Sequence, residues 1–223
     1  MADSNSRAGI RYATPEIVDF CDGVHVPGNT PSRAAFGSPA QENMPAIMVG
    51  LSEGRLLGLL ARLVHAQRIV EVGTLAGFSA IELAGGMRPG GHLWTIENEP
   101  RHAQVARQNI AHAGQADRIT VVDGDGVEAL AGLEQHGPFD LVFVDADKGR
   151  YDQYGRWARK HLRPGGILLM DNAYLFGRLL DEGPSPAAMR RAHEEAAEHL
   201  YSVCIPTPDG LILAIKPDGV PTA

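Results

Sequence analysis

Two spacings of apolar residues alternate along this chain. Short β-branched runs end at a glycine or an acid, and between them leucine and alanine recur every three or four positions. That alternation predicts strands and helices in turn. Over residues 52–66 the leucines at 56, 57, 59, 60 and 63, with Val64, form a broad apolar helix face, and Ser52 is its expected N-cap. Ile69, Val70 and Val72 then read as a strand buried on both faces. Gly73 and Gly77 turn this strand into a helical pattern from Phe78 to Ala84.

The same reading gives strands over 91–96, ending at Glu97, over 118–122, over 139–144, ending at Asp145, and over 167–170, ending at Asp171. Helices are predicted over 100–112, 127–135 and 151–162, and from a Ser185 cap with Pro186 at the first position to about residue 200. Residues 201–205 and 211–215 flank Pro206-Thr-Pro-Asp-Gly210 and read as a hairpin. Seven strands in regular β-α order predict an α/β fold: a Rossmann-like, doubly wound, mostly parallel sheet, antiparallel at one edge, with helices on both faces.

Residues 1–45 differ from the rest. Pro15, Pro27, Pro31, Pro39 and Pro45 interrupt any long helix, and only a short one opening at Thr14-Pro15 is expected. This part reads as an arm or cap, or a dimer-forming segment, before one domain over 46–223.

Composition narrows the partners. A net charge of −7 and the absence of a basic stripe argue against nucleic acid and for a small molecule. The opening Met1 to Arg7 lacks the apolar core of a signal peptide, and no apolar run approaches a membrane span, so a cytoplasmic protein is expected. Cys21 and Cys204 read as two reduced thiols, and the nine histidines form no metal pattern.

In an open α/β sheet, ligands sit beyond the C-terminal ends of the strands. Those ends are Gly73, Glu97, Asp123-Gly124-Asp125, Asp145 and Asp171-Asn172. Four acid-bearing tips on one rim would repel one another unless cations or ligand hydroxyls sat among them. The glycine turn before a helix suits an anionic or carboxylate-bearing cofactor, although its glycines stand four apart and are not the G-x-G-x-x-G fingerprint. Glu97, 24 residues after Gly73, is placed to accept ribose hydroxyls or, alternatively, to begin the helix at Pro100. Asp145, Asp171 and Asn172 are three oxygen donors from adjacent strands, a set that suits Mg²⁺. Lys148 either pairs with Asp145 in a surface turn or, beside a metal and a cationic cofactor, serves as a base.

Glu71-Val-Gly-Thr-Leu-Ala-Gly-Phe-Ser79, Val144-Asp-Ala-Asp-Lys148 with Tyr151, and Met170-Asp-Asn172 resemble the motifs of the cation-dependent O-methyltransferases, the caffeoyl-CoA and catechol family with many bacterial members. The similarity runs from about Met44 to Lys216. It implies a class I methyltransferase fold, S-adenosylmethionine as donor and a catechol-type acceptor. By the same resemblance, Val49, Glu71, Gly73 and Ser79 surround the donor's methionine part and Glu97 its ribose. Gly124, Asp125, Gly126 and Val127 line the adenine, and Asp145 also borders the donor. Asp145, Asp171 and Asn172 match the metal ligands, with Mg²⁺, Mn²⁺ or Ca²⁺ compatible, and Lys148 matches the catalytic base. Lys148, Asn172, Tyr174 and Phe176 would face the acceptor. Ala173-Tyr-Leu-Phe176 replaces the aliphatic residue and Trp that many relatives carry there, and the arm before Met44 diverges. Homodimers are frequent in the family. Alternative readings are a tRNA wobble-uridine O-methyltransferase, a NAD-dependent Rossmann reductase and a catalytically dead binding protein.

Overall fold

The β-branched runs do become the centre of the molecule. The computed structural model describes residue 9, residues 12–26, residue 28 and residues 30–218; Pro27 and the Met1 to Arg7 segment lie outside the described residues. Five parallel strands carry the predicted apolar runs: β1 (Arg68–Val72), β2 (His92–Glu97), β3 (Ile119–Asp123), β4 (Phe139–Val144) and β5 (Leu162–Met170). The hairpin of β6 (Tyr201–Ile205) and β7 (Leu211–Ile215) completes a seven-stranded sheet of order β3-β2-β1-β4-β5-β7-β6. Antiparallel pairing is confined to the predicted side, where β7 runs against both β5 and β6.

Helices cover both faces, because β1 and β4 are apolar on both. On one face Ile69, Leu141, Phe143 and Leu169 pack with α3 (Leu51–Leu63) and α4 (Phe78–Gly86). On the other, Val70, Val142 and Leu168 pack with α6 (Gly126–Leu133), α7 (Tyr151–His161) and α8 (Pro184–His199). α5 (Pro100–His112) lies where the pattern put it, with Ala106 and Ile110 in the first of these layers. Loss of one large buried side chain from such layers costs about 3–5 kcal/mol.

The N-terminal region is more helical than its prolines suggest. α1 (Pro15–His25) follows its Thr14 cap as expected, and a second helix, α2 (Pro31–Gln41), contains Pro39. Pro39 cannot donate to the carbonyl of Ala35, and the Ser38 hydroxyl does so instead at 2.9 Å. α2 is also anchored by tertiary contacts: Ala35 is in the core, and the Phe36 ring meets Phe78 edge-on at 5.2 Å.

Other boundaries moved for local reasons. Gly50, not Ser52, caps α3, its N–H donating to Glu53 Oε2 at 2.8 Å, while the Ser52 hydroxyl reaches across to Asp22. α8 starts at Pro184 after a Gly183 cap, not at Ser185. α6 ends at Leu133 and passes into one 3-10 turn, Glu134–His136. Arg163-Pro-Gly-Gly166 extends β5 rather than merely ending a helix, since Gly165 N–H and Lys216 N–H exchange bonds with Lys216 O and Gly166 O.

Candidate active site at the strand tips

The C-terminal ends of β1, β2, β4 and β5 open into one cavity of about 930 Å³. Its floor is the turn after β1. Gly73 has φ +98°, and a β-carbon there would fall on the backbone carbonyl of Asp145, so β1 and β4 approach this closely only because residue 73 is glycine. Gly77 (φ +85°) then caps α4 and aims its N-terminus, with Ser79 in the first turn, at the cavity. Free N–H groups and the positive dipole end favour a carboxylate there.

Glu97 is nearly buried and organises this turn. Its Oε2 accepts from the N–H groups of Thr74 (3.2 Å) and Leu75 (2.8 Å), and Oε1 from Glu99 N–H (3.0 Å), with His102 Nδ1 at 3.7 Å. Glu97 therefore both holds the glycine turn and lines the cavity. Glu71 lies beneath, fully buried, with Oε2 accepting from the Thr95 hydroxyl at 2.6 Å; Thr95 also meets Thr74. Burial pushes the Glu71 carboxyl up to about 8, against the pull of the Ser79 and Thr95 hydroxyls. Thr95, unmarked by the sequence reading, and Thr74, quoted there only as part of the Glu71–Ser79 motif, add a hydroxyl link from β2 to Glu71 and the turn after β1.

Along the β3 side, Gly124 and Gly126 line the cavity. Gly126 is pressed between Tyr154 Oη and Val72, so a side chain there would collide with both. Asp125 caps α6 through Val127 N–H (3.0 Å) and is gripped by the Arg150 guanidinium at 2.9 and 2.6 Å, which holds its carboxyl below the usual range. Val127 packs against the core rather than lining the cavity. Arg150, Asp147 and Tyr154 do line it; Asp147 belongs to the Asp-Ala-Asp-Lys motif, whereas Arg150 and Tyr154 lie beyond it and carried no signal of their own.

At the tips of β4 and β5, Lys148 Nζ donates to Asp145 Oδ1 (2.8 Å) and to Tyr151 Oη (2.7 Å). Asp171 is buried, and burial together with the nearby Asp145 raises its carboxyl to about 7. Asn172 follows with φ +53° and lines the cavity. Two carboxylates and an amide are an all-oxygen set that fits a hard divalent cation, and the raised Asp171 carboxyl marks a place where added positive charge would be favourable. Among the described residues no three His, Cys, Asp or Glu side chains cluster into a metal site, so Asn172 would be a required third donor.

The two aromatic residues expected to face an acceptor are placed differently from each other. Phe176 lines the cavity mouth and is 68 % exposed. Tyr174 does not line it: the ring lies against Gly210, where a β-carbon would be 2.8 Å away. The opposite wall is the segment after α2, including Met44, Ile47, Met48 and Val49, most of which composition alone did not distinguish from a loop. No helix among the described residues is long and apolar enough to cross a membrane.

Comparison with known proteins agrees with this arrangement. A family model described as O-methyltransferase matches residues 37–217. The chain is 42 % identical over 161 residues to a catechol O-methyltransferase of Niastella koreensis, covering 71 % of this chain and 73 % of that one. It is 40 % identical over 187 residues to a catechol O-methyltransferase of Mycobacterium tuberculosis, covering 83 % and 84 %. Among solved structures, the O-methyltransferase from Bacillus cereus in complex with S-adenosylhomocysteine superposes with a TM-score of 0.86 at 32 % identity, covering 90 % of this chain and 97 % of that one. The family match extends across the glycine turn, the acid-bearing tips and the hairpin alike, and with these relatives it shows that the chain belongs to the O-methyltransferase family, as an enzyme that takes its methyl group from S-adenosylmethionine.

Proposed function

We propose that this enzyme methylates one hydroxyl of an ortho-dihydroxy aromatic small molecule with the help of a divalent metal. The observation that carries the reading is the convergence of Lys148, Asp145, buried Asp171 and Asn172 on the same cavity that holds the glycine turn, where the Lys148–Asp145 pair is half-buried and not a surface turn. The names of the two catechol O-methyltransferase relatives support the acceptor class.

In this reading Val49, Gly73, Ser79 and the α4 N-terminus receive the donor's amino-acid end. Glu71 supports the turn from below, and Glu97 meets the ribose. Gly124 and Gly126 leave room for the adenine, while Asp125 and Val127 shape that wall through the α6 cap. Asp145, Asp171 and Asn172 would hold the metal, with Mg²⁺ preferred and Mn²⁺ or Ca²⁺ compatible with oxygen donors. When bound, such a cation lowers the pKa of a hydroxyl that it contacts. Lys148, positioned by Asp145 and Tyr151, takes that hydroxyl's proton. The acceptor oxygen then attacks the sulfonium methyl in line: the O–C bond forms, the C–S bond breaks and S-adenosylhomocysteine leaves.

Residues 1–45 act as the arm of the 46–223 domain, and α1 is its dimer-forming element. Support comes from α1 itself, which buries none of its residues and exposes Ile17, Val18, Phe20 and Val24.

The test is methyl transfer from labelled S-adenosylmethionine to a panel of ortho-dihydroxy aromatics, with and without EDTA, and to unmodified tRNA. Transfer to catechols that stops with EDTA and returns with Mg²⁺ is expected. Undiminished transfer after complete metal removal, or transfer to tRNA that catechols fail to compete, would overturn the reading.

A further inference from the structure

The loop after β5 is held in an unfavourable course by the β6–β7 turn. Asn172, Leu175 and Phe176 all lie in the left-handed region, with φ of +53°, +53° and +54°. A leucine and a phenylalanine adopt that conformation only where surrounding structure enforces it. Here the enforcing contacts come from Asp209 and its neighbour. Ala173 N–H donates to Gly210 O at 3.0 Å and Tyr174 N–H to Asp209 O at 2.8 Å. Phe176 N–H donates to the Asp209 side chain, Oδ1, at 2.8 Å. The other carboxylate oxygen, Oδ2, is buried and has no hydrogen-bond partner among the described residues. Asp209 lines the cavity together with Phe176, Pro208 and Asn172.

From this we infer that Asp209 determines acceptor selectivity, by fixing the 172–177 loop through Phe176 and by opposing acceptors that carry a negative charge. The inference rests on the reading of this end of the cavity as the acceptor site. Six further carboxylates, Glu53, Glu97, Glu99, Asp145, Asp147 and Asp171, line the same cavity, and of its cationic side chains Lys148 is already engaged with Asp145, Arg150 with Asp125 and Asp147, and Arg101 with the Glu42 carbonyl. An anionic ring substituent would meet Asp209 with one carboxylate oxygen uncompensated, in a place where water screens it poorly. Asp209 is thus a positioning and specificity residue, with no part in the proton or methyl transfer.

Two variants separate its two roles. Asp209→Asn keeps an oxygen for Phe176 N–H and removes the charge; Asp209→Ala removes both. Binding of catechol, 3,4-dihydroxybenzylamine and 3,4-dihydroxybenzoate is measured by calorimetry on the full chain loaded with S-adenosylhomocysteine and Mg²⁺. The unaltered protein is expected to bind the benzoate roughly tenfold more weakly than catechol, the size of a partly screened unit charge. Asp209→Asn brings that ratio towards one, the benzoate gaining affinity relative to catechol. Asp209→Ala weakens all three rings while the S-adenosylhomocysteine Kd stays constant. An unchanged benzoate-to-catechol ratio in Asp209→Asn overturns the inference, as does equal binding of both by the unaltered protein, failure to bind any ring, or loss of S-adenosylhomocysteine affinity in step with the rings. Catechol turnover is followed in parallel: rings that bind with this selectivity and are never methylated would sink the proposed reaction and leave the role of Asp209 standing.

Discussion

Lys148 Nζ stands 2.8 Å from Asp145 Oδ1 and 2.7 Å from Tyr151 Oη, so the one lysine of the β4 tip is fixed from two sides at the lining of the strand-tip cavity. A flexible four-carbon side chain held this way has lost most of its rotamer freedom before any substrate arrives. Lys148→Ala is expected to lower kcat by roughly a hundredfold or more, the range for a removed general base, with S-adenosylmethionine affinity little changed. Single-turnover kinetics with a catechol acceptor checks this, and undiminished turnover would remove Lys148 from the mechanism.

Gly73 and Gly77 both have positive φ, yet their substitutions differ in consequence. A β-carbon on Gly73 would overlap a backbone carbonyl that cannot move without parting β1 from β4, whereas on Gly77 it would make ordinary 3.5 Å contacts with Ala106. Gly73→Ala is expected to destabilise the protein by about 2–4 kcal/mol and to abolish donor binding, against about 1 kcal/mol for Gly77→Ala. Urea denaturation of the two variants side by side decides it. Equal losses would mean that the approach of the two strand tips is not the constraint.

Glu71 gives the enzyme a pH-dependent stability. Burial raises its carboxyl from an ordinary value of 4.5 to about 8, so the folded state keeps a proton that the unfolded chain releases. Its contribution is fully present below about pH 4.5 and is lost progressively as pH rises to about 8. Glu71→Gln keeps an acceptor for the Thr95 hydroxyl and cannot ionise. The variant should match the parent near pH 5 and exceed its stability at pH 8, as read from denaturation midpoints. A parent whose stability does not fall relative to Glu71→Gln across that window would show that Glu71 is ionised in the fold.

α1 has eleven residues, none buried, and Phe20 on it is 71 % exposed. A helix that short is marginal in water without packing. If a second copy covers it, Phe20→Asp should convert a dimer into a monomer by light scattering while the isolated subunit stays folded by circular dichroism. A monomeric parent protein would remove α1 as a dimer element.

Much of this architecture was legible in the order of residues, because burial and hydrogen bonding act over a few positions. The runs at β1, β4 and β5 are apolar on both faces, so each had to become a central strand. Pro100 and the glycine at 114 bounded α5, and the hairpin at 206–210 announced itself by its turn residues. The gathering of Gly73, Glu97, Asp145, Asp171 and Asn172 at one cavity followed from topology alone, since parallel strands point their ends the same way.

What local pattern did not contain was the pairing of groups far apart in the chain. Pro39 sits within a helix because Ser38 takes over the hydrogen bond to Ala35 and because Phe36 finds Phe78, and no window of sequence shows that second contact. Tyr174, read as a wall of the acceptor site, lies instead on Gly210, while Asp209 across the sheet edge reaches Phe176. Arg150 closes on Asp125, 25 residues earlier, for the same reason. Periodicity reports which face of an element is dry; it carries no record of which partner dries it, and that choice is made only when the layers close.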